Sequence, residues 1–254
     1  MGRLDHKSAI ITGGARGIGK QIALTFANEG ADIAIVDIAE MDVVAQEIKG
    51  LGRRVLKIKA NICNREEVRN SVQVVLDNFQ KLDILVNNAS IQRRATFLEM
   101  TDEEWDAVMN VNVKGVFLCT QGAAKPMIDQ KYGKIINMSS LSGLAAQTHK
   151  VPVNYSVSKA GVAHLTRVCA RELGPYGINV NAIAPGAVVT DMTYDQRTQE
   201  EVEQFVQARK DVAALGRIGT TQDMANVALF LASDESSFIT GQIIAADGGR
   251  YGLM

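Results

Sequence analysis

A tyrosine and a lysine stand four residues apart in Tyr155-Ser156-Val157-Ser158-Lys159, where a stretch of helical period begins, so their side chains share a face. A phenol of ordinary pKa about 10 is a poor base at neutral pH, and a nearby ammonium favours its phenolate. Such a pair could take a proton from a substrate hydroxyl or return one to a carbonyl oxygen. Alone, the spacing is weak evidence, because Tyr-x-x-x-Lys arises often by chance.

Two more groups could bind rather than react. In Thr12-Gly13-Gly14-Ala15-Arg16-Gly17-Ile18-Gly19 the glycines remove Cβ atoms that would keep a pyrophosphate away from backbone N–H groups and a helix N-terminus. Methyltransferases and other α/β folds use similar turns. Eighteen residues beyond Gly19 stands Asp37, near the ~20-residue interval at which a carboxylate accepts both hydroxyls of an adenosine ribose. The same carboxylate would repel a 2′-phosphate, so NAD is expected as cofactor. Arg16 is the contrary signal, since a cation in this turn could meet that phosphate, but Ile38 rather than arginine follows the acid.

These groups need a scaffold. Seven short β-branched runs, at 8–12, 33–37, 55–62, 82–87, 134–139, 178–184 and 242–246, alternate with stretches of three-and-four apolar spacing at 17–29, 41–51, 65–79, 102–127, 155–173 and 222–232. Alternation of this kind predicts an α/β fold, a seven-stranded parallel sheet with helices on both faces, and ligands at the carboxyl ends of the strands. No composition shift marks a second domain, so residues 1–254 are read as one dinucleotide-binding and catalytic domain. Residues 187–216, polar and glutamine-rich, form too long a connection for the rhythm and are expected to hold a short helix and act as a substrate lid.

The totals exclude other classes. With a net charge of −1 and no basic stripe interleaved with aromatics, the chain gives no reason to expect nucleic acid. Cys63, Cys119 and Cys169 are too dispersed for a zinc site or disulfide framework, and His6, His149 and His164 lack helical carboxylate partners, so no metal is expected. No uncharged apolar run of membrane-spanning length occurs, and a cytoplasmic enzyme without membrane contact is expected.

The order of the motifs is more specific than any one of them. The glycine turn at 12–19, Asn87-Asn88-Ala89, Asn112, Ser139-Ser140, Tyr155 with Lys159, and Pro185-Gly186-x-Val188-x-Thr190 follow one another along essentially the whole chain. This pattern resembles the short-chain dehydrogenase/reductase family. The resemblance implies a Rossmann-like domain, nicotinamide-dependent interconversion of a secondary alcohol and a ketone, and a homotetramer built from helix pairs. It makes Tyr155 the proton carrier, Lys159 the partner that also holds the nicotinamide ribose, Ser140 the hydrogen-bond donor to the substrate oxygen, and Asn112 the anchor of a water joining Lys159 to solvent. It puts Gly13, Arg16, Gly17, Ile18, Asp37, Asn61, Ile62, Asn88, Ala89, Pro185, Gly186, Val188 and Thr190 around the cofactor. Asn61 departs from the aspartate common in the family, and its amide oxygen can still accept from the adenine amino group. Ser142 competes with Ser140, being thirteen residues from Tyr155 rather than fifteen, and Ser140 is preferred because it directly follows its strand.

The substrate is read from Ile91-Gln92-Arg93-Arg94, which is similar to segments of family members acting on sugar acids, such as gluconate 5-dehydrogenases and 2-dehydro-3-deoxy-gluconate dehydrogenases. A guanidinium fork suits an anionic terminus. An anionic sugar, sugar acid or polyol is therefore the expected small-molecule substrate, with Arg94, Ser142 and His149 beside Ser140 and Tyr155, and Arg250 within possible reach. Adjacent arginines are otherwise an ordinary solvated loop. The rivals are a 3-ketoacyl-carrier-protein reductase, which shares nearly every motif but usually favours NADPH, and a non-catalytic dinucleotide sensor, which would not need Ser140, Tyr155 and Lys159. Ser90, where the family has glycine, is unexplained by the sequence.

Overall fold

In a computed structural model that describes residues 2–146, 151–195 and 197–250, seven parallel strands form one sheet in the order β3-β2-β1-β4-β5-β6-β7. The strands are β1 (Ser8–Thr12), β2 (Asp32–Asp37), β3 (Val55–Lys59), β4 (Ile84–Asn87), β5 (Gly133–Met138), β6 (Ile178–Pro185) and β7 (Ile243–Ala246). Helices α1 (Gly17–Asn28), α2 (Asp42–Gly50), α3 (Arg65–Phe79), α4 (Asp102–Met109), α5 (Val116–Gln130), α6 (Val153–Leu173), α7 (Asp191–Tyr194), α8 (Gln199–Lys210) and α9 (Thr221–Ala232) connect them. Successive side chains of a strand point to opposite faces, and both faces are apolar. Ile11, Ile35, Val86 and Met138 meet α1, α2 and α9 on one side, while Ile10, Ala34, Leu85 and Ile135 meet α3 and α5 on the other.

Three elements differ from expectation. The third strand stops at Lys59 because the chain turns toward Asn64, whose side chain caps α3 by accepting from the Glu66 and Glu67 N–H groups. The expected helix over 102–127 is interrupted by a π-helical turn at Asn110–Gly115, and its second part runs through Pro126 to Gln130. Residues 187–216 contain two helices, α7 and α8, rather than one.

The strand order reverses direction between β1 and β4, which opens a crevice at their carboxyl ends. A cleft of about 530 Å³ lies there. It is walled by the turn after β1, the ends of β2 and β6, and the segments after β3, β4 and β5.

Candidate active site

At the floor of the cleft, Lys159 is 3% exposed and donates from Nζ to the Met138 carbonyl at 2.8 Å. The carbonyl of Lys159 accepts from Ser139 Oγ at 2.9 Å, so the end of β5 and α6 are tied from both sides. Burial pushes the Lys159 pKa down to about 8. Tyr155, one turn earlier, is raised by burial, and its hydrogen bond with Ser140 works the other way. This differs from the simple expectation that the ammonium lowers the phenol: Lys159 Nζ stands 5.5 Å from the centre of the Tyr155 ring and is itself desolvated.

Ser140 is the N-cap of a single 3₁₀ turn, Leu141–Gly143, and its Oγ accepts from the Ser142 N–H at 3.2 Å. Both competing serines line the cleft, and Ser140 is the one whose hydroxyl draws the pKa of the Tyr155 phenol down. Gly143 permits this arrangement. A Cβ there would lie 2.5 Å from the Lys159 carbonyl carbon, so only glycine lets the turn lie directly on α6.

Asn112 sits in the π-helical turn, fully buried. Its Oδ1 accepts from Ile91 N at 2.9 Å, and its Nδ2 donates to Ile91 O at 3.0 Å and to Ser158 Oγ at 3.0 Å. It thus fastens the segment after β4 to the helix that carries Tyr155. The π turn is what rotates this amide inward, a use of such turns common at functional sites. Ser90 is accommodated without strain, for it is absent from the residues with positive φ.

The dinucleotide side of the cleft is built by the first turn. Gly13 and Gly17 have φ of 64° and 58°, and Gly13 approaches the backbone of Ala89 so closely that a Cβ would lie 2.8 Å from its Cα. Asn88 braces the turn, donating from Nδ2 to the carbonyls of Thr12 at 3.1 Å and Gly13 at 2.9 Å. Arg16 is the N-cap of α1 without a capping side chain, and no acidic residue lies in the first helical turn. The open N–H groups and the glycine cradle fit a pyrophosphate. Asp37 accepts from the backbone N–H groups of Ala15 at 3.0 Å and Ala39 at 3.1 Å, which leaves lone pairs for a ribose.

The other expected positions fall around the same cleft. Ile18, Asn61, Ile62, Ala89, Pro185, Gly186, Val188 and Thr190 line it. Asn61 Oδ1 already accepts from Cys63 N at 3.0 Å, and Gly186 N donates to Ala246 O at 3.0 Å, joining the end of β6 to β7. Arg16 pairs with Asp195 at 3.1 Å, which ties the glycine turn to the 187–216 segment. Arg93 and Arg94 are exposed and are not among the residues that line the cleft; Arg94 is near enough to Arg197 for its charge to be felt there. Arg250 is 9% exposed and lines the cleft. His149 lies outside the described residues.

Sequence reasoning missed two features. Arg197 and Arg209, in a stretch that reads as solvated lid, line the cleft with Arg250. Behind it, Asn87 donates to Thr120 Oγ1 at 3.1 Å and to Asn137 Oδ1 at 2.8 Å, and Asn137 donates to Thr166 Oγ1 at 2.9 Å. This buried chain of amides crosses from α5 through paired residues of β4 and β5 to α6. The amide in each of two adjacent strands was its only signal.

The comparisons agree with this geometry. A family model described as enoyl-(acyl carrier protein) reductase matches residues 13–250. The chain is 43% identical over 249 residues to a Thermotoga maritima protein named 3-oxoacyl-acyl-carrier-protein reductase FabG, covering 97% of this chain and 98% of that protein. It is 41% identical over 251 residues to hydroxy(phenyl)methylsuccinyl-CoA dehydrogenase subunit BbsD of Thauera aromatica, covering 97% of each. A crystal structure of a short-chain type dehydrogenase/reductase from Mycobacterium marinum superposes with TM-score 0.91 at 36% identity, over 97% of this chain and 96% of that one. With the fold, the motif order and relatives of this similarity over its full length, the chain belongs to the short-chain dehydrogenase/reductase family and is an oxidoreductase of the kind that binds a nicotinamide dinucleotide.

Proposed function

We propose that the chain is an NAD(H)-linked reductase of 3-oxoacyl thioesters, able to run in reverse as a 3-hydroxyacyl dehydrogenase. The observation that carries the chemistry is that Ser140 and Tyr155 line one cleft together, with the buried Lys159 Nζ 5.5 Å from the centre of the tyrosine ring. The relatives favour the substrate: two named proteins above 40% identity act on acyl groups held by a carrier protein or coenzyme A, which fits better than the sugar acid or polyol expected from Arg94. Ser140 holds the carbonyl oxygen and Tyr155 gives it a proton. The reduced nicotinamide, when bound, supplies the hydride to the carbonyl carbon. Tyr155 then regains its proton by way of Lys159, with Asn112 holding the water that links that ammonium to solvent. In the oxidative direction the same groups act in reverse order.

Gly13, Arg16, Gly17 and Ile18 hold the pyrophosphate, Asp37 the adenosine ribose, Asn61 and Ile62 the adenine, Asn88 and Ala89 the adjoining face, and Pro185, Gly186, Val188 and Thr190 the carboxamide. Ser142 and Arg94 belong to the substrate side, under a lid formed by 187–216, and His149 is assigned to that side from the sequence alone. Asp37, with Ile38 beside it and no cation following, supports NAD over NADP. The working unit is a homotetramer of one-domain subunits.

The test is to follow NADH and NADPH absorbance with acetoacetyl-CoA, crotonyl-CoA, gluconate and neutral polyols. Faster oxidation of NADH than of NADPH with acetoacetyl-CoA is the expected result. Consumption of crotonyl-CoA in its place would move the reaction to a carbon–carbon double bond, and turnover of gluconate alone would restore the sugar-acid reading.

A further inference from the structure

Four guanidinium groups stand near one another at the cleft. Arg94 comes from the loop after β4, Arg197 from the turn before α8, Arg209 from α8, and Arg250 from the segment after β7; the last three line the cavity itself. Arg197 and Arg209 stand with their Cζ atoms 4.6 Å and 5.1 Å from the centre of the Phe205 ring, which holds both. Phe205 and Arg209 are four apart on α8 and therefore on one face, the face that also buries Val202.

The gathering is costly for a protein without a ligand. Like charges at this range oppose one another, and burial disfavours the charge of the three that line the cavity. Burial, and then the charges of Arg250 and Arg197, push the Arg209 pKa down to about 10. The same causes act on Arg197, through burial first and then through Arg94. Glu201 beside Arg197 and Asp247 beside Arg250 offset only part of the charge. Arg209 Nη1 is buried and has no hydrogen-bond partner among the described residues. A buried donor left unpaired is rare in a folded protein and needs a reason.

From these residues we propose that Arg197, Arg209 and Arg250, with Arg94 nearby, form a site for an oxyanion on the substrate, at the end of the molecule away from the reacting carbonyl. Guanidinium forks match carboxylate and phosphate oxygens two at a time, and an anion seated among three of them would satisfy Arg209 and cancel the mutual repulsion. The preferred substrate then carries an acid group of its own: a 3-oxoacyl chain ending in a carboxylate or phosphate rather than in a methyl group. The inference rests on the oxidoreductase reading above and narrows its substrate. It also gives the two arginines of 187–216 a task, since both line the cavity that would hold the acid.

The decisive measurement uses the enzyme with NADH and two 3-oxoacyl thioesters of N-acetylcysteamine that are equal in length, one ending in a free carboxylate and the other in its methyl ester. The carrier is neutral, so only the terminus differs in charge. We expect kcat/KM at least tenfold higher for the acid, with the acid-to-ester ratio falling to below threefold in Arg209→Gln and to an intermediate value in Arg197→Lys. Equal kcat/KM for the two thioesters in the unaltered enzyme would overturn the proposal without any variant.

If neither thioester is turned over, the thioester reading fails and the site is tested by itself. Glutarate and inorganic phosphate are titrated by calorimetry into the protein loaded with NAD⁺. Binding of either that is weakened at least tenfold in Arg209→Gln supports the site and tells carboxylate from phosphate. Absence of heat with both, or binding that the variant leaves unchanged, overturns it.

Discussion

At the scale of single residues, the site depends on two groups whose ordinary protonation is changed by burial. Lys159 has a folded pKa of about 8 against an unfolded value of 10.5, so its charge costs stability as long as both states are protonated. As pH rises through 8 the folded protein loses that proton before the unfolded chain does, and stability rises with pH until about 10. Tyr155, raised by burial, opposes this only above its unfolded pKa near 10. Without cofactor, urea unfolding of the unaltered protein between pH 7.5 and 9.5 should therefore gain about 2 kcal/mol relative to Lys159→Met, which cannot titrate. Parallel curves for the two proteins would show that Lys159 is not a desolvated ammonium. Tyr155→Phe keeps the ring and removes the proton. Its turnover number should fall by about 10²- to 10⁴-fold, while NADH binding, followed by nucleotide fluorescence, stays within a few-fold of normal.

At the scale of elements, what matters is how a turn and a bulge are held against α6. Gly143 has its would-be Cβ 2.5 Å from the Lys159 carbonyl carbon and 2.6 Å from Ala160 N, both backbone atoms that cannot move alone. Gly143→Ala should lift the 3₁₀ turn from the helix, separate Ser140 from Tyr155, and cost about 1–3 kcal/mol by overpacking. A thermal melt and a kcat measured below the new midpoint separate the two effects; unchanged kcat would mean that the turn does not position Ser140. Much of this scale was legible in the sequence. Alternating runs such as Ile33–Val36 and the three-and-four spacing of α3 and α6 carry their own period, and Ser139-Ser140, Tyr155 and Lys159 lie where strand ends and helix starts must meet. The π turn was not legible, because no residue type in Asn110–Gly115 marks a widened turn. Arg197 and Arg209 were missed for a related reason: on a polar segment with one narrow apolar stripe, Val202 and Phe205, an inward arginine has the same letter as a solvated one. Ser90, which the sequence leaves unexplained, stands where the backbone needs no left-handed angle.

At the scale of the whole molecule, the sheet closes both of its own faces with helices, yet some helices leave apolar groups in water. On α6, Val157 and Val168 are 42% and 45% exposed, and with Gly161 and His164 they follow at spacings of four, three and four along one stripe. Phe117 on α5 is 40% exposed. The α5 and α6 helices pack on each other, so these groups can belong to one continuous face. A small residue amid valines lets a second helix approach closely, and a two-fold axis across such a face would bury the same stripe twice. We assign an interface of the proposed tetramer to this face. Light scattering should accordingly give a mass of four chains of 27.4 kDa for the unaltered protein. Val168→Glu, which sets a carboxylate on each side of the axis, should reduce it to two chains or one, with far-UV circular dichroism unchanged because the residue faces outward. Tyr155 and Lys159 are carried on the same helix as that stripe, so the variant should also lose activity in proportion to the dissociated fraction, and regain it when protein concentration is raised. A tetramer that survives Val168→Glu at micromolar concentration would put the interface on another face and leave α6 a solvated helix that only positions the catalytic pair.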